Sequence, residues 1–195
     1  TLRNKRYFAA IAMVILIAAG LLFPIYAVPA RWDENLSGGL TLDGDRFYPN
    51  LDLSEGSVDG DFEIIRYLRA HAEGFPIIAE WYQSEYLWNN RISIQTGLPD
   101  IVGWGNHMRQ QYGSLIAPQV DERIQNVQAF FNTGDIETIR KVIKQYNVSY
   151  IVVGSLERAH ASPAALDRFA EMASDGELEL VFRSGDDVVY RVAQK

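Results

Sequence analysis

The stretch from Glu80 to Tyr112 (EWYQSEYLWNNRISIQTGLPDIVGWGNHMRQQY) gathers the side chains of this sequence best suited to recognition chemistry. Trp81, Tyr82, Tyr86, Trp88, Trp104 and Tyr112 are interleaved there with Glu80, Glu85, Arg91, His107 and Arg109. Such a mixture suits a sugar ring or a polar headgroup: the aromatic face covers the apolar side of the ligand while the polar groups fix its orientation. The stretch is too long for one helix or strand, so it must contain long loops, and long ordered loops carry function more often than short ones. The structural alternative is a loop that packs its aromatics over a sheet edge.

Other constellations are weaker. Asp43-x-Asp45 and Asp59-x-Asp61 have the spacing of carboxylates that share a divalent cation. Asp43-Gly44, however, reads better as a turn and Asp61 as a helix N-cap. His71, His107 and His160 stand far apart and lack HExxH spacing. Gly103-Trp104-Gly105 lacks the third glycine of a dinucleotide fingerprint, and there is no Gly-x-Ser-x-Gly elbow. The absence of cysteine excludes disulfides and thiolate metal sites. The sequence thus points to no metal site and no catalytic residue. With a net charge of -7 and no long basic run after Arg6, it points away from nucleic acid as a partner.

Alternating helices and strands must position the aromatic stretch. Residues 29–60 are rich in Gly, Asp, Asn, Ser and Pro and read as a connector of loops with a short hairpin. The domain then runs over 61–195. A helix from Asp61, with Ile64, Ile65 and Leu68 on one face, ends at Gly74. Phe75 to Ala79 reads as a buried strand, and Tyr86 to Gln95 alternates like a second one. Helices follow over Val120 to Phe131 and from Asp135 to Tyr146, and then the strand Val148 to Val153. A helix over Pro163 to Met172 precedes a hairpin of Leu178 to Phe182 and Val188 to Val192, turning at Gly185-Asp186. This order predicts an α/β domain with a mainly parallel sheet and an antiparallel edge hairpin. Open parallel sheets place ligands beyond the C-terminal ends of their strands. If the strands preceding Glu80 and Gly154 are neighbours, Glu80, Glu157 and Arg158 share one rim, and Arg91, Trp104 and His107 fall in one cleft beside it. An Arg158–Glu salt bridge of purely structural role is the alternative.

Tyr7 to Val28 carries no charged side chain, and about 20 helical residues cross a bilayer core. Tyr7, Phe8 and Tyr26 fall where interfacial aromatics belong, and Arg3, Lys5 and Arg6 flank the N-terminal side. Positive-inside reasoning puts residues 1–6 in the cytoplasm, a transmembrane helix over 7–28, and the rest outside the cytoplasm. The apolar run is longer than a signal-peptide core, so the helix is expected to be retained in the cell membrane. The first residue is Thr, which leads us to expect the last helix of a longer multi-pass protein rather than a sole anchor.

LDG (42–44), GDFEIIRYL (60–68), PIIAEWYQSEY (76–86), RISIQTGLPDIVGWGNHMRQ (91–110), YNVSYIVVG (146–154) and LER (156–158), in that order, resemble the C-terminal part of the Chlor-Arch-YYY membrane proteins. Met108 departs from that family's pattern, which has an acid after the histidine. The resemblance implies a glycosyltransferase of the polyprenyl-phosphate-sugar-dependent membrane class (GT-C), with its catalytic acids, and any divalent metal, in loops between upstream membrane helices. Glu80-Trp81-Tyr82 to Tyr86 is also similar to the WWDYG region of oligosaccharyltransferases, where that motif helps hold the acceptor; only Trp81 and an aromatic neighbour match. The expected function is therefore acceptor or substrate binding, with Glu80, Tyr86, Arg91, Trp104, His107, Glu157 and Arg158 as candidate contacts. The bilayer and a polyprenyl-linked sugar or glycan acceptor are the expected partners, and no cofactor is expected in this stretch. The alternative is a non-catalytic interaction module anchored by one helix. A reporter enzyme fused after Lys195 should be active on the extracytoplasmic side; activity confined to the cytoplasm would reverse the topology.

Overall fold

The computed structural model describes residues 2–35, 52–53 and 56–193. Asp43 and Asp45 lie outside the described residues, as does most of the connector. The chain forms two compact units, Thr1–Asn50 and Leu51–Lys195. In the first, helix α1 spans Leu2–Asn35. Its segment Asn4–Pro29 has a mean hydropathy of 2.7 and is long and apolar enough to cross a membrane. The helix continues past residue 28, where the sequence suggested its end.

The second unit begins with a short antiparallel pair, β1 (Asp52–Leu53) and β2 (Gly56–Ser57). Then follow α2 (Asp59–His71), β3 (Ile77–Ala79), α3 (Arg91–Thr96), α4 (Gly105–Tyr112), α5 (Ala117–Asn132) and α6 (Ile136–Tyr146). The chain closes with β4 (Val148–Val153), α7 (Ser155–His160), α8 (Pro163–Ser174), β5 (Leu178–Ser184) and β6 (Asp187–Val192). The four main strands form a sheet in the order β3-β4-β6-β5.

The α/β class and the closing hairpin are as the sequence suggests, but the sheet is mixed rather than mainly parallel. Only β3 and β4 run parallel; β4 and β6 pair antiparallel, as do β6 and β5. The cause is the hairpin, whose second strand docks on β4, so that the hairpin supplies half of the sheet. Strand β4 is consequently central, and Ile151 and Val152 are fully buried.

Two further departures lie in the aromatic stretch. Residues 91–96, whose Ile92 and Ile94 alternate like a strand, form helix α3. A strand would point both isoleucines to one face; here Ile92 is 0% and Ile94 63% exposed. Gly97, with φ 75°, takes the left-handed conformation that closes the helix, its N–H donating to the Ser93 carbonyl at 2.8 Å. Helices α4 and α7 also carry residues that the sequence left in loops.

The hydrophobic core packs α5, α6 and α8 against the sheet. Phe130, Phe131 and Phe169 meet there at ring-centroid distances of 5.1 to 5.9 Å. Burying each such ring stabilises by roughly 1.5–3 kcal/mol. Asp135 caps α6, accepting from the Thr138 N–H at 3.0 Å, and Asn147 ends it at φ 52°. Since this core is closed within the second unit, residues 40–195 should fold as a soluble monomer with one cooperative thermal transition. Aggregation, or a melt without cooperativity, would show that the domain depends on α1.

Candidate functional site

The sequence-selected residues fall into two groups. The first is a buried ionic node. Arg91, at the start of α3, is 2% exposed, and Glu80 and Glu157 are fully buried. The Arg91 guanidinium grips Asp61 of α2 along one edge, with Nε donating to Oδ2 at 2.5 Å and Nη2 to Oδ1 at 2.9 Å. Along another edge it grips Glu157 of α7, with Nη1 donating to Oε1 at 3.1 Å and Nη2 to Oε2 at 2.7 Å. Glu80, just past β3, approaches Nη1 at 3.6 Å. Asp61 is therefore an ion-pair partner rather than the helix N-cap the sequence suggested; the N-cap position falls to Val58.

The carboxylates also organise backbone. Glu157 accepts from the Trp81 N–H and the Gly154 N–H, both at 2.9 Å. Glu80 accepts from Ile92 N–H at 3.0 Å and Ser93 N–H at 2.8 Å. It thereby satisfies two orphan donors at the N-terminus of α3 from a distant point in the chain. Gly154 makes room for the node: a Cβ there would lie 2.7 Å from Asp61 Oδ1 and 3.0 Å from Arg91 Nη2. Asp100 adds a further carboxylate, accepting from Asn90 Nδ2 at 2.7 Å and Ile101 N–H at 2.6 Å.

This crowding is written into the protonation equilibria. Burial pushes the Glu80 carboxyl up to about 7, outweighing the pull of Arg91 and the Ser93 N–H, and Glu157 pushes the same way. Burial, followed by the nearby Glu80, raises Asp100 well above the ordinary carboxylate range. Burial also raises Asp61 against the opposing pull of Arg91. Glu157 is buried too, yet Arg91 and its N–H donors outweigh burial and hold it below its usual value.

The second group lies on the surface. Tyr86, Trp104 and His107 form a triangle of rings with centroids 5.0 to 5.4 Å apart. The Tyr86 hydroxyl and His107 Nε2 are hydrogen-bonded at 2.8 Å. Tyr86 is 76% exposed and adopts φ 66°. The buried Trp104 indole N–H has no acceptor among the described residues. Beside this triangle opens a cavity of about 410 Å³, lined by residues that include Tyr82, Glu85, Asn106 and Arg109. Arg91, Trp104 and His107, expected in one cleft, are not in that lining. Arg158 belongs to neither group: it pairs with Asp187 at 2.5 Å, not with a glutamate, and donates to the Asp186 carbonyl at 2.9 Å. It ties α7 to the β5–β6 turn. Sequence reasoning missed the Asp100–Asn90 contact, and nothing singled out Asn106; in both, the partners meet only after the loop has folded.

No protein-family model matches this chain, and no curated protein matches it. The resemblance to the Chlor-Arch-YYY proteins therefore has no matching family model behind it. Among solved structures, the C-terminal globular domain of an oligosaccharyltransferase from Archaeoglobus fulgidus is similar. The TM-score is 0.40 and the identity 12%, covering 67% of this chain and 95% of that one. A likeness this loose assigns no residue of this chain a role.

Replacing Arg91 with Met would leave three carboxylates buried without their cation, and should destabilise the domain by about 3–5 kcal/mol in chemical unfolding. Glu80 gives a pH signature. Its folded value of about 7 lies above the ordinary 4.5, so its contribution is fully present below about 4.5 and is lost as pH rises through about 7. Asp61 and Asp100, also raised, act in the same sense. Glu157, lowered, acts oppositely, its contribution being lost as pH falls below the carboxylate range. Unfolding free energy should thus decline from pH 4.5 to 7, and Glu80→Gln should flatten that decline. An equal decline in the variant would remove Glu80 as its source.

Proposed function

We propose that this chain is the extracytoplasmic C-terminal domain, with its membrane helix, of a polyprenyl-phosphate-sugar-dependent membrane glycosyltransferase, and that the domain contributes acceptor or substrate binding. The observation that carries the reading is Tyr86. A non-glycine residue in the left-handed region costs on the order of 1–3 kcal/mol where the surroundings impose it. Here that conformation holds a large ring out in solvent, where burial returns little of the cost. Trp104 and His107 brace the ring from one side and leave the rest of it free.

An exposed, braced aromatic beside polar groups is a platform for the apolar face of a sugar. Tyr86, Trp104 and His107 are then the ligand contacts. Glu80, Arg91 and Glu157 are buried and position them, and Arg158 anchors α7. The catalytic acids and any divalent metal belong, by the resemblance, to membrane loops upstream.

The test is genetic and chemical. Deleting the gene in its host should remove a cell-surface glycan, read by mass spectrometry of released glycans. Wild-type full-length protein should restore it. Tyr86→Ala and Trp104→Ala should not, while keeping a melting temperature near that of the wild type. An unchanged glycan profile in the deletion strain would reject the glycosyltransferase reading. Restoration by both variants would reject the platform.

A further inference from the structure

Two segments, residues 82–87 and 104–109, run side by side and are pinned to one another. Glu85 accepts from the Asn106 backbone N–H at 2.6 Å and from its Nδ2 at 3.1 Å, while the next residue on each segment forms the Tyr86–His107 bond. The ring triangle and the cavity of about 410 Å³ are therefore built on the same pair of segments. That volume lies within the range of small-ligand sites.

The lining has a definite chemistry. Leu87 and Ile124 supply apolar wall. Tyr82, Ser84 and the amide of Gln128 supply groups able both to donate and to accept, as sugar hydroxyls require, while the Gln83 amide is bonded to His160 Nε2 at 2.9 Å. The Gln128 side chain, on α5, is exposed and makes no hydrogen bond among the described residues. The charges are already committed. The Asn106 N–H, foremost among several causes, lowers the Glu85 carboxyl and keeps it ionised. Arg109 is paired with Asp121 and also donates to Asn106 Oδ1 at 3.2 Å. Glu85 and Arg109 balance within the lining, and Asp121 occupies the guanidinium, so no uncommitted cation remains there to attract a phosphate or a uronic acid.

We infer that this cavity is a subsite for a neutral, hydroxyl-rich sugar unit, with the Gln128 amide reading its hydroxyls and the Tyr86 ring taking the adjoining unit. The inference rests on the platform reading above and adds to it a place, a charge preference and a residue, Gln128.

Saturation-transfer NMR and titration of the full chain in lipid nanodiscs test it. The probes are methyl α-mannoside, N-acetylglucosamine, a short neutral oligosaccharide, and glucose 1-phosphate as the anionic counterpart. Neutral probes should bind, with the anionic one at least tenfold weaker. Gln128→Leu should weaken neutral binding severalfold, and Gln128→Trp, which fills the mouth, should remove it. Both should leave the melting temperature unchanged, since the side chain is exposed. If Trp104→Ala removes neutral binding and neither Gln128 variant alters it, the cavity is overturned and the platform stands. If no neutral probe binds the wild type, both fall. Tighter binding of glucose 1-phosphate than of the neutral sugars overturns the charge argument and the subsite with it.

Discussion

Arg91 lies out of reach of water with two carboxylates in bidentate contact and a third 3.6 Å from the guanidinium. Removing such charges from water costs several kcal/mol per ion, and their attraction offsets that only if the geometry is good and the remaining lone pairs are satisfied. Both conditions are met. The guanidinium makes four hydrogen bonds, and each oxygen of Glu157 has a backbone donor as well as Arg91. The node joins α2, the end of β3, α3 and α7, four segments that are distant in sequence. Its value lies in fixing their relative placement more than in net stability. Burial, with the nearby Glu157 as a smaller contribution, raises the Glu80 carboxyl despite the pull of Arg91.

From that node, order passes outward along carboxylate–amide links. Glu157 holds the Trp81 N–H, fixing where the chain leaves β3. Glu80 holds the first turn of α3, fixing where the chain returns. Asn90, itself in the left-handed conformation, reaches both Asp100 and the Val102 carbonyl at 2.8 Å, and so places the approach to Trp104. Glu85 then repeats the device at the surface by holding the first turn of α4. A loop of this length would be mobile if left to itself; here a carboxylate or amide acceptor stands at each bend. The aromatic triangle is thus positioned by polar contacts from beneath, leaving its outer faces clear.

Much of the fold was legible because it is local. The α6 helix shows Asp135 before it and Asn147 after it, and β4 is a β-branched and aromatic run interrupted only by Ser149. The closing hairpin carries Gly185 at its turn, with φ 58°. What could not be read is non-local. Helix α3 has the alternation of a strand, and the carboxylate that satisfies its first turn comes from Glu80, twelve positions before Ile92. Asp61 looked like a cap because its partner, Arg91, lies 30 positions away. The direction of most of the sheet depended on which hairpin strand would dock on β4. At the site, residue types alone placed Tyr86, Trp104 and His107 in one stretch. They gave no sign that Arg91, Glu80 and Glu157 would be spent on one another beneath it. A hint was present in IIAEW, where a glutamate sits inside a buried apolar run.

The central claim is that the buried node, acting through Glu80, orders the aromatic segment. Hydrogen–deuterium exchange on the wild type and on Glu80→Ala measures this residue by residue. The account predicts faster exchange from Tyr86 to His107 in the variant, greatest at Ile92 and Ser93, with protection in β4 and β6 retained. Unchanged exchange over Tyr86 to His107, or an increase spread evenly over the whole domain, would contradict it.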